Sequence, residues 1–380
     1  MNSSIISQKK FWLFLLCASN SLLLSAQVVS PSLYTDSKYD VAFGAGLTTS
    51  ATSNVYSIHD LINGNITNPE LKSNKLFASG IGRANLHLSY SDCQLGIEKS
   101  YLATASSNPD SLVIYNSVNS QGLNVPQGSH FSPSISSTAL TGVGFEGGCV
   151  ISNKSGLRLG GSIHALSLNS FTQRSYQGTV SAGPNGALTV LNENWVSMTP
   201  QVPELQTPSS VGQSYSFDLD IGYRNFTSPI FGDLQIYNFF NSVSLNNSPY
   251  LNRNLNATFP TGSIIQNGTI PPLTGRYGNQ DATLKVPRIW STDIGYQISK
   301  TADLGIKLNG LDRYYQTMLF TTLRCSTCSS GNGYTAMIDS NFTTLGLGYS
   351  GKNWGIYLGT LLNHTFGFNS LNQINLNVRY

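Results

Sequence analysis

The chain, 380 residues long, predicts an all-β fold: a transmembrane antiparallel β-barrel of about twelve strands. Three observations predict it. Leu86-x-Leu88-x-Tyr90, Leu219-x-Ile221-x-Tyr223, Ile294-x-Tyr296, Leu345-x-Leu347-x-Tyr349 and the terminal Ile374-x-Leu376-x-Val378-x-Tyr380 repeat one design. Each alternates apolar with polar residues and sets a tyrosine at the edge of the apolar face, as a strand crossing a bilayer between aromatic girdles requires. Past the N-terminal leader no run of about 18 apolar residues occurs, so no helix is available to cross a membrane. Short and long links alternate, as they do when tight turns lie on one side of a membrane and long loops on the other.

The elements follow in order. Residues 1–26 read as a secretory signal peptide: Lys9 and Lys10 supply its positive end, Phe11 to Leu16 and Leu22 to Leu24 its apolar core, and Ser25-Ala26 its cleavage site. Residues 27–38 form a short N-terminal segment, and 39–380 the barrel. A first strand at 39–50 is followed by the long polar stretch 51–80. Ser91-Asp92 joins strands 81–91 and 93–105, and 106–136 is the next long stretch. Ser152 to Ser155 joins 138–151 to 156–168, before the stretch 169–213. Asn225 to Gly232 joins 214–224 to 233–243, before 244–285, whose Asn246-Asn247, Pro249, Pro260 and Pro271-Pro272 read as a loop over the mouth. Ser299 to Asp303 joins 286–297 to 303–323, with 324–340 after them. Gly351 to Asn353 joins 341–350 to 353–363, and 364–370 leads into the last strand, 371–380.

An even count returns both chain ends to one side. The stretch 303–323 exceeds a simple span of about ten residues, so it either projects beyond the membrane or splits at Gly310-Leu311-Asp312. A split needs a further strand hidden in a loop, and the count is then fourteen.

With the tyrosine-bearing face toward lipid, alternation turns the other face inward. That face carries Arg83, His87, Glu98, Arg158, His164, Asp218, Asp220, Arg224, Asp293, Lys307 and Arg379, with Asn85, Ser89, Asn375 and Asn377 among them. Both signs of charge are mixed there, which suits either ion pairs across a narrow interior or the lining of a weakly selective pore. Only 10% of the residues are charged and the net charge is +3, which excludes the basic stripe that a nucleic-acid partner demands.

No Walker loop, zinc-type histidine cluster or calcium loop is present, and no cofactor or catalytic constellation is expected. His87-Leu88-Ser89 has the spacing of a lipase pair, but both side chains face inward and Tyr90-Ser91 follows them, so an enzyme is not indicated. Gly142, Gly144, Gly147 and Gly148 read as bending points in a strand. Cys93 and Cys149 fall at neighbouring strand ends on the short-turn rim and are expected to form a disulfide. Cys325 and Cys328 read as a second, small loop disulfide rather than a metal half-site.

The strand pattern, the tyrosine boundary and the aromatic last residue resemble bacterial outer-membrane β-barrel proteins. That resemblance implies an outer-membrane location, lipid as a partner, and Ile374, Leu376, Val378 and Tyr380 as the signal read by the barrel assembly machinery. Val286-Pro287-Arg288, leading through Ile294-Gly295-Tyr296 into Leu304-Gly305-Ile306, is similar to the late hairpins of the long-chain fatty-acid transporter family. That family implies fourteen strands and an N-terminal plug with an Asn-Pro-Ala motif. Here only 27–38 precede the first strand, and Asn68-Pro69 and Asn108-Pro109 lie in loops. The polar inward face favours a channel for passive diffusion of small polar solutes. A transporter of hydrophobic compounds, or a surface interaction protein anchored by its barrel, are the alternatives.

Overall fold

The wall closes on itself through antiparallel pairing alone. A computed structural model describes residues 42–54, 76–112, 125–152, 156–184, 186–198, 212–224, 228–259, 273–324, 333–340, 344–350, 354–361 and 371–379. Its strands are β1 (Ala42–Ser53), β2 (Leu76–Tyr90), β3 (Cys93–Ser107), β4 (His130–Phe131), β5 (Ser134–Ser152), β6 (Leu157–Gly183), β7 (Gly186–Ser197), β8 (Gln213–Arg224) and β9 (Ile230–Phe259). They continue as β10 (Leu273–Leu284), β11 (Ile289–Ser299), β12 (Ala302–Leu311), β13 (Tyr314–Arg324), β14 (Gly333–Asp339), β15 (Thr344–Ser350), β16 (Trp354–Leu361) and β17 (Leu371–Arg379). Leaving out β4, β7 and β10, the other fourteen each pair with their neighbours, and β1 joins β17 to seal the cylinder.

The count of twelve is therefore corrected to the alternative of fourteen. The stretch 303–323 splits into β12 and β13 around Asp312, whose left-handed φ of 48° makes a tight turn. The hidden strand is β14, inside the stretch read as the loop 324–340. Parity downstream is restored, and the strand ends Arg324 and Gly333 that flank the linker 325–332 lie at the short-turn rim. Cys325 and Cys328 lie in that linker, outside the described residues, as do residues 1–41 and Tyr380.

Two more loop readings are corrected. The stretch 169–213 carries the second half of β6 and all of β7. The stretch 244–285 carries the far half of β9 and all of β10. Beyond the wall these strands continue as a sheet in the order β6, β7, β9, β10. Asparagine and proline argued for a loop, but pairing satisfies the backbone of both long strands and overrides their low strand propensity. The sheet has its own small core, with Trp195 opposite Leu251 and Val180 packed on Ala182, Ala187 and Val125.

Arg174 Nε donates to Glu193 Oε1 at 2.6 Å in this sheet, and the Tyr176 hydroxyl donates to the same oxygen at 3.1 Å. Burial pushes the Tyr176 phenol up, and Glu193 adds to the effect. An acid whose folded value is raised stabilises the fold below its unfolded value, about 10, and loses that contribution as pH climbs through the folded value. The sheet is expected to open to protease above about pH 10 in the wild type. In Tyr176→Phe that alkaline step is expected to shrink; an unchanged step would exclude Tyr176 as its source.

Outside, the alternation predicted from sequence holds. Leu86, Leu88, Leu95, Ile97, Phe145, Ile163, Ile294, Leu304 and Leu347 are exposed, between a lower girdle with Tyr90, Tyr296, Tyr334 and Trp354 and an upper one with Tyr215, Phe240 and Tyr315. Water cannot cover such a belt at tolerable cost, whereas lipid can. The chain is a closed antiparallel β-barrel, all-β in architecture, with a belt suited to lipid. At the short-turn rim Cys93 and Cys149, directly opposite each other on β3 and β5, form a disulfide. The topology sets a further expectation: an impermeant thiol reagent on intact cells should label Asn279→Cys on β10 but not Lys300→Cys in the β11–β12 turn. Labelling of both from outside would reverse or break the assignment.

Candidate functional site

Inward residues are stacked in two layers. Beneath the long-loop rim lies an apolar layer: Phe77, Ile81, Leu102, Leu140, Leu166, Leu168, Phe171, Tyr237, Val243, Leu245, Val286, Ile289 and Leu311 are buried together. Strict alternation would have sent half of Leu168, Asn169, Ser170 and Phe171 to lipid. Instead the β5–β6 register slips between Thr141 and Gly142, leaving one extra residue in β6, so Leu168 pairs with Gly142 and Phe171 with Leu140 on the same inner face. Both are 1% exposed.

Below it lies a polar layer, and here the residues singled out in the sequence meet. Arg83 on β2 forms an ion pair with Asp218 on β8 and approaches Glu98 on β3 at 4.0 Å, its guanidinium 5.2 Å from the Tyr237 ring centre. His164 on β6 places Nδ1 2.7 Å from Glu98 Oε1 and Nε2 3.2 Å from Asp218 Oδ2. Ser162 Oγ lies 2.9 Å from the same Nε2. Asp218 also holds the wall: opposite it β9 carries extra residues between Ile236 and Phe240, Asn238 adopts a left-handed φ of 56°, and its N–H donates to Asp218 Oδ1 at 2.8 Å. Asparagine tolerates that conformation better than other side chains of its size.

Nearer the short turns, Arg158 bridges Asp220 at 2.9 Å and Asp233 at 2.6 Å. Lys307 meets Asp293 at 2.9 Å, and Arg224 meets Asp303 at 2.7 Å with its guanidinium 4.2 Å from the Phe231 ring centre. On the opposite wall the donors are neutral amides: Gln373 donates to Gln316 at 2.6 Å, Gln316 to Asp339 at 3.2 Å, and Asn372 to Thr344 at 2.8 Å. His87 is turned inward and buried. Its inward turn, shared by Ser89, leaves no exposed His-Ser pair for a lipid ester. The side chain of Arg379 lies outside the described residues.

Sequence reasoning passed over Glu146, Asp233, Asp303, Ser162 and Tyr237. Glu146 shares the inner face of β5, pairs with His164 across the strands and accepts from Asn85 and, at 3.5 Å, from Gln94. Its signal was parity against the exposed Phe145. Asp233 and Asp303 sit at strand starts, where the inward parity used for Asp293 also applied. A cavity of about 60 Å³, lined by Thr48, Arg83, Asn85, Gln94, Glu146, His164, Asp218 and Tyr237 among others, opens in this polar layer.

Interior rings lie against glycines on neighbouring strands: Phe231 against Gly295, Phe320 against Gly305 and Tyr357 against Gly346. A methyl at any of these glycines would collide with the ring.

No family model matches the chain, and no curated protein matches it. Solved structures that align with it include the P. putida toluene transporter TodX, at 10% identity over 89% of this chain and 87% of that one, with a TM-score of 0.35. The Ralstonia pickettii toluene transporter TbuX aligns at 9% identity over 90% and 89%, with a TM-score of 0.31. The siderophore receptor PirA from Pseudomonas aeruginosa aligns at 8% over 91% and 82%, with a TM-score of 0.20.

Proposed function

We propose that this outer-membrane barrel admits small hydrophobic compounds, the alternative among the sequence readings, in preference to polar solutes. One observation carries the reading: the inward face beneath the mouth is apolar, with Phe77, Ile81, Leu168, Phe171, Val243 and Leu245 buried together. A hydrated ion or sugar gains nothing there and loses its water, whereas a small apolar molecule is stabilised by about 25 cal/mol for each Å² it removes from water. The ion pairs below stand across the axial route, because separating them leaves charges unpaired in a confined space.

A second reading keeps one support. The cavity presents Thr48, Asn85 and Gln94 and is large enough to hold water, as polar-solute diffusion requires. The two readings part in one experiment on cells and liposomes carrying the purified protein. Uptake of a labelled small monoaromatic hydrocarbon, a probe matched to the rings of Phe77, Phe171 and Tyr237, is expected to exceed that of cells without the barrel. Liposome swelling in arabinose is expected to stay at background. Swelling without hydrocarbon uptake would establish the polar channel, and neither response would leave the extracellular sheet as a platform.

A further inference from the structure

We propose that Glu98, Glu146 and His164 form a divalent-cation site inside the barrel wall, of the carboxylate and imidazole class that takes Zn²⁺. They stand on three adjacent strands, β3, β5 and β6, all facing inward. Glu146 is the direct cross-strand partner of His164, and Glu98 is diagonal to Glu146 through the pairs Gly96↔Glu146 and Glu98↔Gly144. Their candidate ligand atoms all lie within 4.8 Å of one another, and all three side chains are buried. Zinc bonds to oxygen and nitrogen of about 2.0–2.2 Å put tetrahedral ligands roughly 3.4 Å apart, so closing the site takes shifts on the order of 1 Å. Glu146 borders the cavity, which leaves it room to move.

One feature calls for a cation at this place: Glu98 Oε2 is buried without a hydrogen-bond donor and has only Arg83 Nε at 4.0 Å. The histidine stands ready as a ligand. Its Nδ1 sits 2.7 Å from Glu98 Oε1, while Nε2 is shared by Asp218, Ser162 and, at 3.3 Å, Arg83 Nη1. A metal on Nδ1 would take the place of the proton that this nitrogen otherwise gives to Glu98.

Charge points the same way. Glu98, Glu146 and Asp218 are three carboxylates around Arg83, and the nearby Arg158 is engaged by Asp220 and Asp233. With all three ionised, even a doubly protonated His164 leaves one negative charge over in a space where unpaired charge is costly. A divalent cation removes that excess and ties β3, β5 and β6 together from within.

The test uses the folded, untagged barrel, stripped with chelator, equilibrated with Zn²⁺ and dialysed against a weak competitor. Wild type is expected to retain one zinc per barrel. Glu146→Gln and Glu98→Gln, checked for folding by heat-modifiable gel mobility, are expected to bind at least thirtyfold more weakly, and His130→Ala, on the exposed extracellular side, to bind as wild type. X-ray absorption on wild type should show nitrogen and oxygen neighbours, and this readout stands even if the glutamine variants fail to fold. No zinc retained would overturn the proposal. Sulfur neighbours would overturn it too, since they would place the metal on Cys325 and Cys328.

Discussion

Exchanging Arg83 for methionine is expected to destabilise the folded barrel by about 3–5 kcal/mol, the cost of leaving buried carboxylates without their cation. Asp218 and Glu98 both lose a partner, and Asp218 is also the acceptor that holds the Asn238 bulge, so the loss reaches the β8–β9 seam. Urea unfolding in detergent micelles, followed by the mobility shift between folded and unfolded barrel, measures it. Arg83→Met combined with Asp218→Asn should recover a large part, because the amide still accepts the Asn238 N–H and no longer carries a charge. Were Arg83 the lining of an open pore instead, Arg83→Met would alter ion selectivity with little effect on unfolding.

The second large effect concerns transport. Leu168→Asp places a carboxylate at the centre of the apolar layer, where its transfer from water costs several kcal/mol without a partner. At 1.4 kcal/mol per factor of ten, hydrocarbon uptake should fall at least a hundredfold while the gel shift still reports a folded barrel. Leu168→Asn, uncharged, should give an intermediate loss and serves where the aspartate variant does not assemble. Undiminished uptake in a folded Leu168→Asp barrel would remove the apolar layer from the route and sink the proposed function.

Much of this architecture was legible because period-two alternation is strict wherever one face meets lipid. Leu86, Leu88, Ile294 and Leu347 announced the outer face, and Arg83, Glu98, His164 and Asp218 the inner one. The opposition of Cys93 and Cys149 followed from the same register. What stayed hidden was whatever breaks the period. The β6 bulge turns both Leu168 and Phe171 inward, so an apolar lumen layer was invisible to a rule that assigns apolar side chains to lipid. The split at Asp312 was legible only as an alternative, and the seven-residue strand β14 that it requires passed for part of a loop. The extracellular sheet was missed because its strands lean on each other, not on lipid, and carry no boundary tyrosines in register.

The rings seated on glycines inside the wall link positions that would otherwise drift separately. Gly295 cannot enlarge unless Phe231 shrinks, and the same bond of dependence joins Gly346 to Tyr357, whereas a methyl at Gly305 would also meet the Ile294 carbonyl and a smaller residue at Phe320 would not admit it. In a deep mutational scan these pairs should behave as reciprocal suppressors: Gly295→Ala deleterious alone, tolerated beside Phe231→Leu. The permissible paths of sequence change through this barrel are thus two-step paths, and their order is set, since the ring must give way before the glycine can grow.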